Sequence, residues 1–447
     1  MMKKRFLSIL LSLVIVVTMS FGMTSYVFAA DMVTPIMVKA QIDNKSVDLR
    51  AYSASYEGNN FICIRDLAFA LNGSEKQFNL TYDKNKNAIR VLKGKSYVAV
   101  GDESQFGDRS VAWASSSVPA LYVNDKKVQY TAYSIKGNTY FKFVDLMQIF
   151  NINATYNDSN NTIKVDTKKD YEVDFAKTAA SGYFDFLHGA VLGNAATGEI
   201  IYSDNSENKV AIASTTKIMT YLLLRDAIDK KQISWDDDVI ISKAAEAVSS
   251  SEDGVIPMKA GQKVKLKDLM NTMLVVSSNE SATALAEHLA GSEAAFTKLM
   301  NKKAKELNLD SAEFYNAHGL PLYTTGLFSA KLQNRMNAKD LFELSRYIVN
   351  KYPDILNITS KTEISVDSLN FKDVNTNRLL FNMDGVDGLK TGTTNRAGCC
   401  IITTMPVQHG NKTERVIAIV LGAEDSAERA EKPAVLLQYA KQYYSHN

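Results

Sequence analysis

One stretch restricts the fold of this chain more than any other. Ala213-Ser214-Thr215-Thr216-Lys217 runs straight into Ile218, Met219, Tyr221, Leu222, Leu223 and Leu224, which reads as the first turn of a buried helix. Ser214 and Lys217 are three apart, so on a helix their side chains share a face and can meet. Ser and Thr suit a helix start because their oxygens satisfy free N–H groups there, and those N–H groups with the helix dipole favour negative charge beside the Ser214 oxygen. A serine hydroxyl attacks only when a base takes its proton, and a desolvated lysine can serve as that base. The same spacing recurs at Ser206-Glu207-Asn208-Lys209. That copy lies in a polar run beginning at Ser203, which reads as a turn with no apolar helix behind it, so Ser214 is the candidate nucleophile.

At 447 residues the chain exceeds one ordinary domain. It opens with Lys3, Lys4 and Arg5, continues almost without polar residues from Phe6 to Val17, and reaches Val27-Phe28-Ala29. This is the pattern of a secretory signal peptide spanning residues 1–29, cleaved near Ala29 or Ala30; its apolar part is short for a membrane span. Lys plus Arg total 51 and Asp plus Glu 49. Without the leader's three positive charges the balance is 48 to 49, and with no basic stripe the chain is not built for nucleic acid. Cys63, Cys399 and Cys400 are too few for a disulfide framework, and the adjacent pair places one thiol on each face of a strand. Five histidines, none at metal-ligand spacing, argue against a metal centre, and nothing calls for another cofactor.

Residues 33–168 repeat themselves. The first copy has Ala51-Tyr52-Ser53, Phe61-Ile62-Cys63-Ile64-Arg65-Asp66-Leu67, Tyr82-Asp83 and Asn87 to Val91; the second has Ala132-Tyr133-Ser134, Tyr140 to Leu146, Tyr156-Asn157 and Asn161 to Val165. Each copy predicts strand, short helix, strand, turn, strand, with Asp66 and Asp145 starting the helices. This portion resembles the small repeat domain named after the copper amine oxidase N-terminus. No histidine lies between Asp31 and Lys168, so imidazole-based copper binding has nothing to use; a non-catalytic spacer or wall-contacting module is expected.

Residues 169–182 read as a linker, and a second domain occupies 183–447. Strands are predicted at Ala190–Gly193 and Glu199–Tyr202, then the Ser214 helix. An amphipathic helix follows at Val264–Val276, with further helices at Ser281–Leu289, Ala294–Leu307 and Lys339–Asn350. Strands at Gly398–Thr404 and Val416–Gly422 precede a last helix, Ser426–Tyr444. This order gives an α+β fold, one sheet flanked by helices.

Two further motifs follow Ser214 in order. Ser277-Ser278-Asn279 falls at a polar break between two apolar helices, and Lys390-Thr391-Gly392 follows the turn-forming Asp384 to Gly388. Ser-x-x-Lys, Ser-x-Asn and Lys-Thr-Gly together mark penicillin-binding proteins and class A β-lactamases. With Ala213–Thr220, Asn316–Pro321, Asn375–Leu380 and Asp387–Gly398, the chain from Tyr183 onward resembles the D-alanyl-D-alanine carboxypeptidases. The resemblance implies a β-lactamase/transpeptidase-like antiparallel sheet flanked by helices. It implies that Ser214 attacks the carbonyl between the two terminal D-alanines of a peptidoglycan stem peptide, Lys217 takes its proton with Lys390 lowering its pKa, and Ser277 relays a proton to the departing D-alanine. Asn279 would bind the substrate backbone, the N–H groups of Ser214 and Thr393 would hold the oxyanion, and Gly392 would admit the peptide. Thr391, Thr393 and Arg429 would grip the free carboxylate, and β-lactams would acylate Ser214. The rival readings are a β-lactamase, for which Glu306 is the closest candidate base, and a catalytically silent wall-binding protein. The leader implies a secreted or wall-associated protein, and too little chain follows Arg429 for the amphipathic anchor of many relatives, so membrane contact is not expected from that end.

Overall fold

The computed structural model describes residues 31–446 apart from 44, 55–59, 106, 129, 158–159, 161 and 324–330. The leader at 1–29 lies outside the described residues, as does Asn161 of the second repeat. No helix among the described residues is long and apolar enough to cross a membrane.

The two repeats form the elements their sequence predicts: Asn60–Cys63, Ile64–Ala70, Phe78–Asp83 and Ala88–Lys93 in the first, and Asn138–Lys142, Phe143–Phe150, Asn153–Asn157 and Thr162–Asp166 in the second. Asn60–Cys63 lies antiparallel to Asn138–Lys142 with Ile62 opposite Phe141. These two residues occupy the same place in their copies, so the register is symmetric about them. Each copy then gives its last strand to the other. Ala88–Lys93 runs parallel to Ala120–Val123, and Thr162–Asp166 runs parallel to Asp31–Ile42.

Asp66 and Asp145 sit inside the first helical turn, not at the cap. Their carboxylates reach back to the residue just before Ala-Tyr-Ser in each copy, accepting the backbone N–H of Arg50 at 2.7 Å and of Thr131 at 2.6 Å. Asp66 is also paired with the Arg50 guanidinium at 2.6 Å, both groups being buried. Asp145 has a threonine where Asp66 has Arg50, and burial, then the nearby Glu431, pushes its carboxyl up to about 6.

In the second domain five strands follow the order Ile200–Asp204, Gly189–Asn194, Lys412–Ala423, Gly398–His409, Gly388–Thr394, each antiparallel to its neighbours. The Glu428–His446 helix covers one face, where Leu436, Leu437 and Ala440 pack with Ile401, Val416 and Val420. The larger helical layer covers the other and surrounds the Lys217–Asp229 helix, whose Ile218, Met219, Tyr221, Leu222 and Leu224 are fully buried. Each such side chain contributes about 1.5–3 kcal/mol, which offsets the cost of burying the polar turn that precedes it. Cys399 and Cys400 fall in the cores on opposite faces of the sheet, as the adjacent pair predicts.

The predicted linker is not loose. Asp174 caps a short helix, Phe175–Ala180, and Phe175 stacks on Tyr439 of the last helix with ring centroids 3.9 Å apart. Aromatic residues inside a charged stretch give this segment apolar surface to bury.

Candidate active site

Ser214 sits in a 3-10 turn, Ala213–Thr216, that leads into the Lys217–Asp229 helix. The cap residue, Ile212, has no polar side chain, and the Ser214 hydroxyl meets Lys217 instead of the backbone. Its neighbour Thr215 turns its own hydroxyl to the Ile212 carbonyl at 2.6 Å.

Lys217 Nζ lies 2.8 Å from Ser214 Oγ, 2.7 Å from Asn279 Oδ1, 2.9 Å from the His318 carbonyl and 3.5 Å from Ser277 Oγ. The side chain is wholly buried. Burial depresses its pKa to about 7, against the opposing influence of Glu280. Desolvation is the leading cause, and the repulsion between Lys217 and Lys390 is expressed on Lys390, whose pKa it holds down. A neutral amine has two N–H donors and one lone pair. Asn279 Oδ1 and the His318 carbonyl accept the two donors, which leaves the lone pair for the serine hydroxyl. Asn279 is held in this orientation because its Nδ2 donates to the Asp253 carbonyl at 2.8 Å.

The His318 carbonyl is placed by Asn316, whose Oδ1 accepts the Gly319 N–H at 2.7 Å and whose Nδ2 donates to the Leu320 carbonyl at 2.8 Å. Gly319 has φ +95°, and a Cβ there would lie 2.0 Å from the Ala213 carbonyl oxygen. Only glycine fits against the serine turn. The His318 imidazole is buried and held below its usual pKa by burial, then by Lys217, so it is neutral.

The Gly388–Thr394 strand closes the other side. A Cβ on Gly392 would come 2.7 Å from the Ser214 nitrogen; its absence lays the strand backbone against the serine amide. Lys390 is buried, donates to the Thr391 carbonyl at 2.8 Å, and is held well below its usual pKa by burial, Lys217 and Arg429. Arg429, near the start of the last helix, donates through Nη1 to Thr393 Oγ1 at 2.8 Å. Thr391 shares that strand face but is covered by Asn375-Thr376-Asn377. Its hydroxyl lies 2.6 Å from that of Thr376, and Asn377 Nδ2 donates to the Gly388 carbonyl at 3.1 Å. Thr393 and Arg429 are therefore joined, while the Thr391 hydroxyl is engaged with Thr376.

The structure thus gathers Ser214, Lys217, Ser277 and Asn279 directly, and brings the Lys390–Thr393 strand and Arg429 beside them. Sequence reasoning missed the carbonyls of His318 and Asp253, and Glu280, which is fully buried and accepts the Val255 N–H at 3.2 Å. The second Ser-x-x-Lys is a turn whose Lys209 pairs with Glu313 at 2.9 Å. Glu306 ends its helix bound to Lys303 at 3.1 Å.

The peptidase S11 family model, D-alanyl-D-alanine carboxypeptidase, matches residues 187–425. The chain is similar to the D-alanyl-D-alanine carboxypeptidase DacF of Bacillus subtilis, 36% identical over 278 residues, which are 61% of this chain and 67% of that protein. It is similar to DacD of Escherichia coli at 31% identity, covering 57% of this chain and 63% of that one. It thus spans about two thirds of the length of these curated relatives. Among solved structures it resembles a peptidoglycan synthesis regulatory factor (PBP3) from Streptococcus pneumoniae, with 32% identity, a TM-score of 0.52, and coverage of 58% of this chain and 73% of that chain. Penicillin binding protein 6B from Escherichia coli has 30% identity, a TM-score of 0.51, and coverage of 57% and 78%. Arg429 and the repeats lie outside the range matched by the family model.

Proposed function

The chain belongs to the D-alanyl-D-alanine carboxypeptidase family, and from its site we propose that it removes the terminal D-alanine from peptidoglycan stem peptides through an acyl-enzyme on Ser214. The observation that carries this reading is the Lys217 amine, wholly buried and 2.8 Å from Ser214 Oγ. Lys217 takes the hydroxyl proton as Oγ attacks the carbonyl carbon between the two D-alanines. The developing oxyanion falls to the backbone N–H groups of Ser214 and Thr393, which need no reorganisation to receive it. The C–N bond breaks, and the proton reaches the departing amine through Ser277. Water then attacks the ester and frees the shortened peptide, returning the proton to Ser214.

The site suits an anionic C-terminus. Arg429 supplies positive charge beside Thr393, and an arginine fork pairs both oxygens of a carboxylate. β-Lactams offer the same pairing of a strained amide and a carboxylate, so we read them as acylating inhibitors. The substrate lies outside the cytoplasmic membrane, where the leader at residues 1–29 would deliver the enzyme. The test is release of D-alanine from a diacyl-lysyl-D-Ala-D-Ala peptide, run beside incubation with penicillin. Stoichiometric trapping of penicillin with D-alanine release is the expected result. Rapid penicillin turnover without D-alanine release would overturn the reading in favour of a β-lactamase.

A further inference from the structure

The repeat module and the substrate site meet at one buried polar cluster. Lys142, at the end of the strand Asn138–Lys142, reaches out of the module to Glu431 on the Glu428–His446 helix. Its Nζ is 2.7 Å from Glu431 Oε1, and the two side chains are 8% and 13% exposed. Glu431 is two residues beyond Arg429, in the same first turns of the helix. Around the pair stand Asp145, which feels the charges of Glu431, Arg378 and Lys142, and Arg378, whose guanidinium is 3.5 Å from Thr131 Oγ1 of the module. Arg378 in turn is among the charges felt by Arg429. The cluster therefore reaches from the second repeat, through the Lys142–Glu431 pair, to the helix turn that carries Arg429.

A surface ion pair is worth little, but removing one partner of a buried pair leaves an uncompensated charge in a poor dielectric. Without Lys142, the carboxyl groups of Glu431 and Asp145 would face each other with the charge of Arg378 beside them. The helix turn bearing Arg429 would lose its tie to the module. The half-buried Arg429 has Thr393 Oγ1 as the hydrogen-bond partner of its guanidinium, so its aim depends on where that turn sits.

We propose that the repeat module is a working part of the carboxylate grip. Lys142 is a positioning residue that fixes, through Glu431, the helix turn from which Arg429 reaches Thr393 and the substrate's terminal carboxylate. This rests on the reading of Arg429 as the carboxylate partner.

Two acyl donors separate the effects: a diacyl-lysyl-D-Ala-D-Ala peptide, and an aryl ester of the same acyl-D-alanine, which has no carboxylate to grip. In the full chain, Lys142→Met is expected to raise KM for the peptide about five- to tenfold with kcat little changed, the size usual for coupled neighbours. Acylation by the aryl ester stays at its original rate. The charge-reversed pair, Lys142→Glu with Glu431→Lys, brings KM back toward the starting value. Arg429→Met, run alongside, raises KM for the peptide at least as far; if it does not, the reading of Arg429 and the role of Lys142 fall together. If Arg429→Met raises KM while Lys142→Met leaves it unchanged, the role of Lys142 alone is overturned. Equal losses on both donors, with no rescue by the reversed pair, overturn it as well, since they mark a general structural defect.

Discussion

Gly392→Ala isolates the contact between the strand and the serine turn. The added Cβ would lie 2.7 Å from the Ser214 nitrogen and 3.0 Å from the Thr215 nitrogen and the Ala213 Cβ, whereas ordinary contact begins near 3.4 Å. The obstacles are backbone atoms of a buried turn, not the ends of flexible side chains, so the strand and the turn must separate by about 0.7 Å. Gly392 does not need a positive φ, so alanine adds no backbone strain and the fold should survive. A productive site tolerates about 0.5 Å of misplacement, and 1 Å costs about a hundredfold in rate. The expected result is a fall of roughly ten- to a hundredfold in acylation, about 1.4–2.7 kcal/mol in the barrier. Progress curves for D-alanine release and for covalent labelling by a fluorescent penicillin, with a melting curve beside them, read this out. Acylation within about threefold of the starting rate, in a variant of unchanged melting temperature, would refute the view that the strand is held against the Ser214 amide to build the oxyanion site.

Other outcomes follow from the same geometry. Ser214→Ala should abolish both D-alanine release and penicillin labelling while Ser206→Ala leaves them intact; labelling retained in the first variant would show that the wrong serine was chosen. Lys217 works as a base only when neutral, and with its pKa lowered to about 7 the acylation rate should fall about tenfold per pH unit below that value. Glu280 favours the charged form of Lys217, so Glu280→Gln should move this limb to lower pH, and a limb that moved upward would contradict the electrostatic assignment. Arg50→Met leaves the Asp66 carboxylate buried without its cation and should destabilise the repeat module by about 3 kcal/mol, seen as a lower thermal transition than in the unaltered chain.

What was legible in the sequence depended on whether a function was carried by a side-chain type or by the backbone. Ser214 and Lys217 were visible because the spacing and the apolar run behind them are local signals. The carbonyls of His318 and Asp253 were not, since a main-chain acceptor leaves no mark on residue choice; only Asn316 and Gly319, which shape the turn, gave a hint. Glu280 was not singled out, because its approach to Val255 depends on how a distant loop folds back. The depressed pKa of Lys217 was expected from the charge of Lys390, but its leading cause is burial, whose extent cannot be read from a pair of charges. Thr391 was expected with Thr393 and Arg429 from the family resemblance, and the segment that engages its hydroxyl comes from elsewhere in the chain.

The repeats were equally half legible. Their shared strands and helices followed from matching patterns, but the pairing of Asp31–Ile42 with Thr162–Asp166 joins the two ends of the module and has no local signature. That reciprocal pairing makes the module indivisible. Cutting the chain between the copies would strip Asp31–Ile42 of a strand neighbour on one side of the break and Ala120–Val123 of one on the other, leaving two unpaired edges of the kind that invite aggregation. Deletion, transplantation or fusion of this unit should therefore succeed only when both copies travel together, and a single copy expressed alone is better placed to recover its missing strand by dimerising with another like itself.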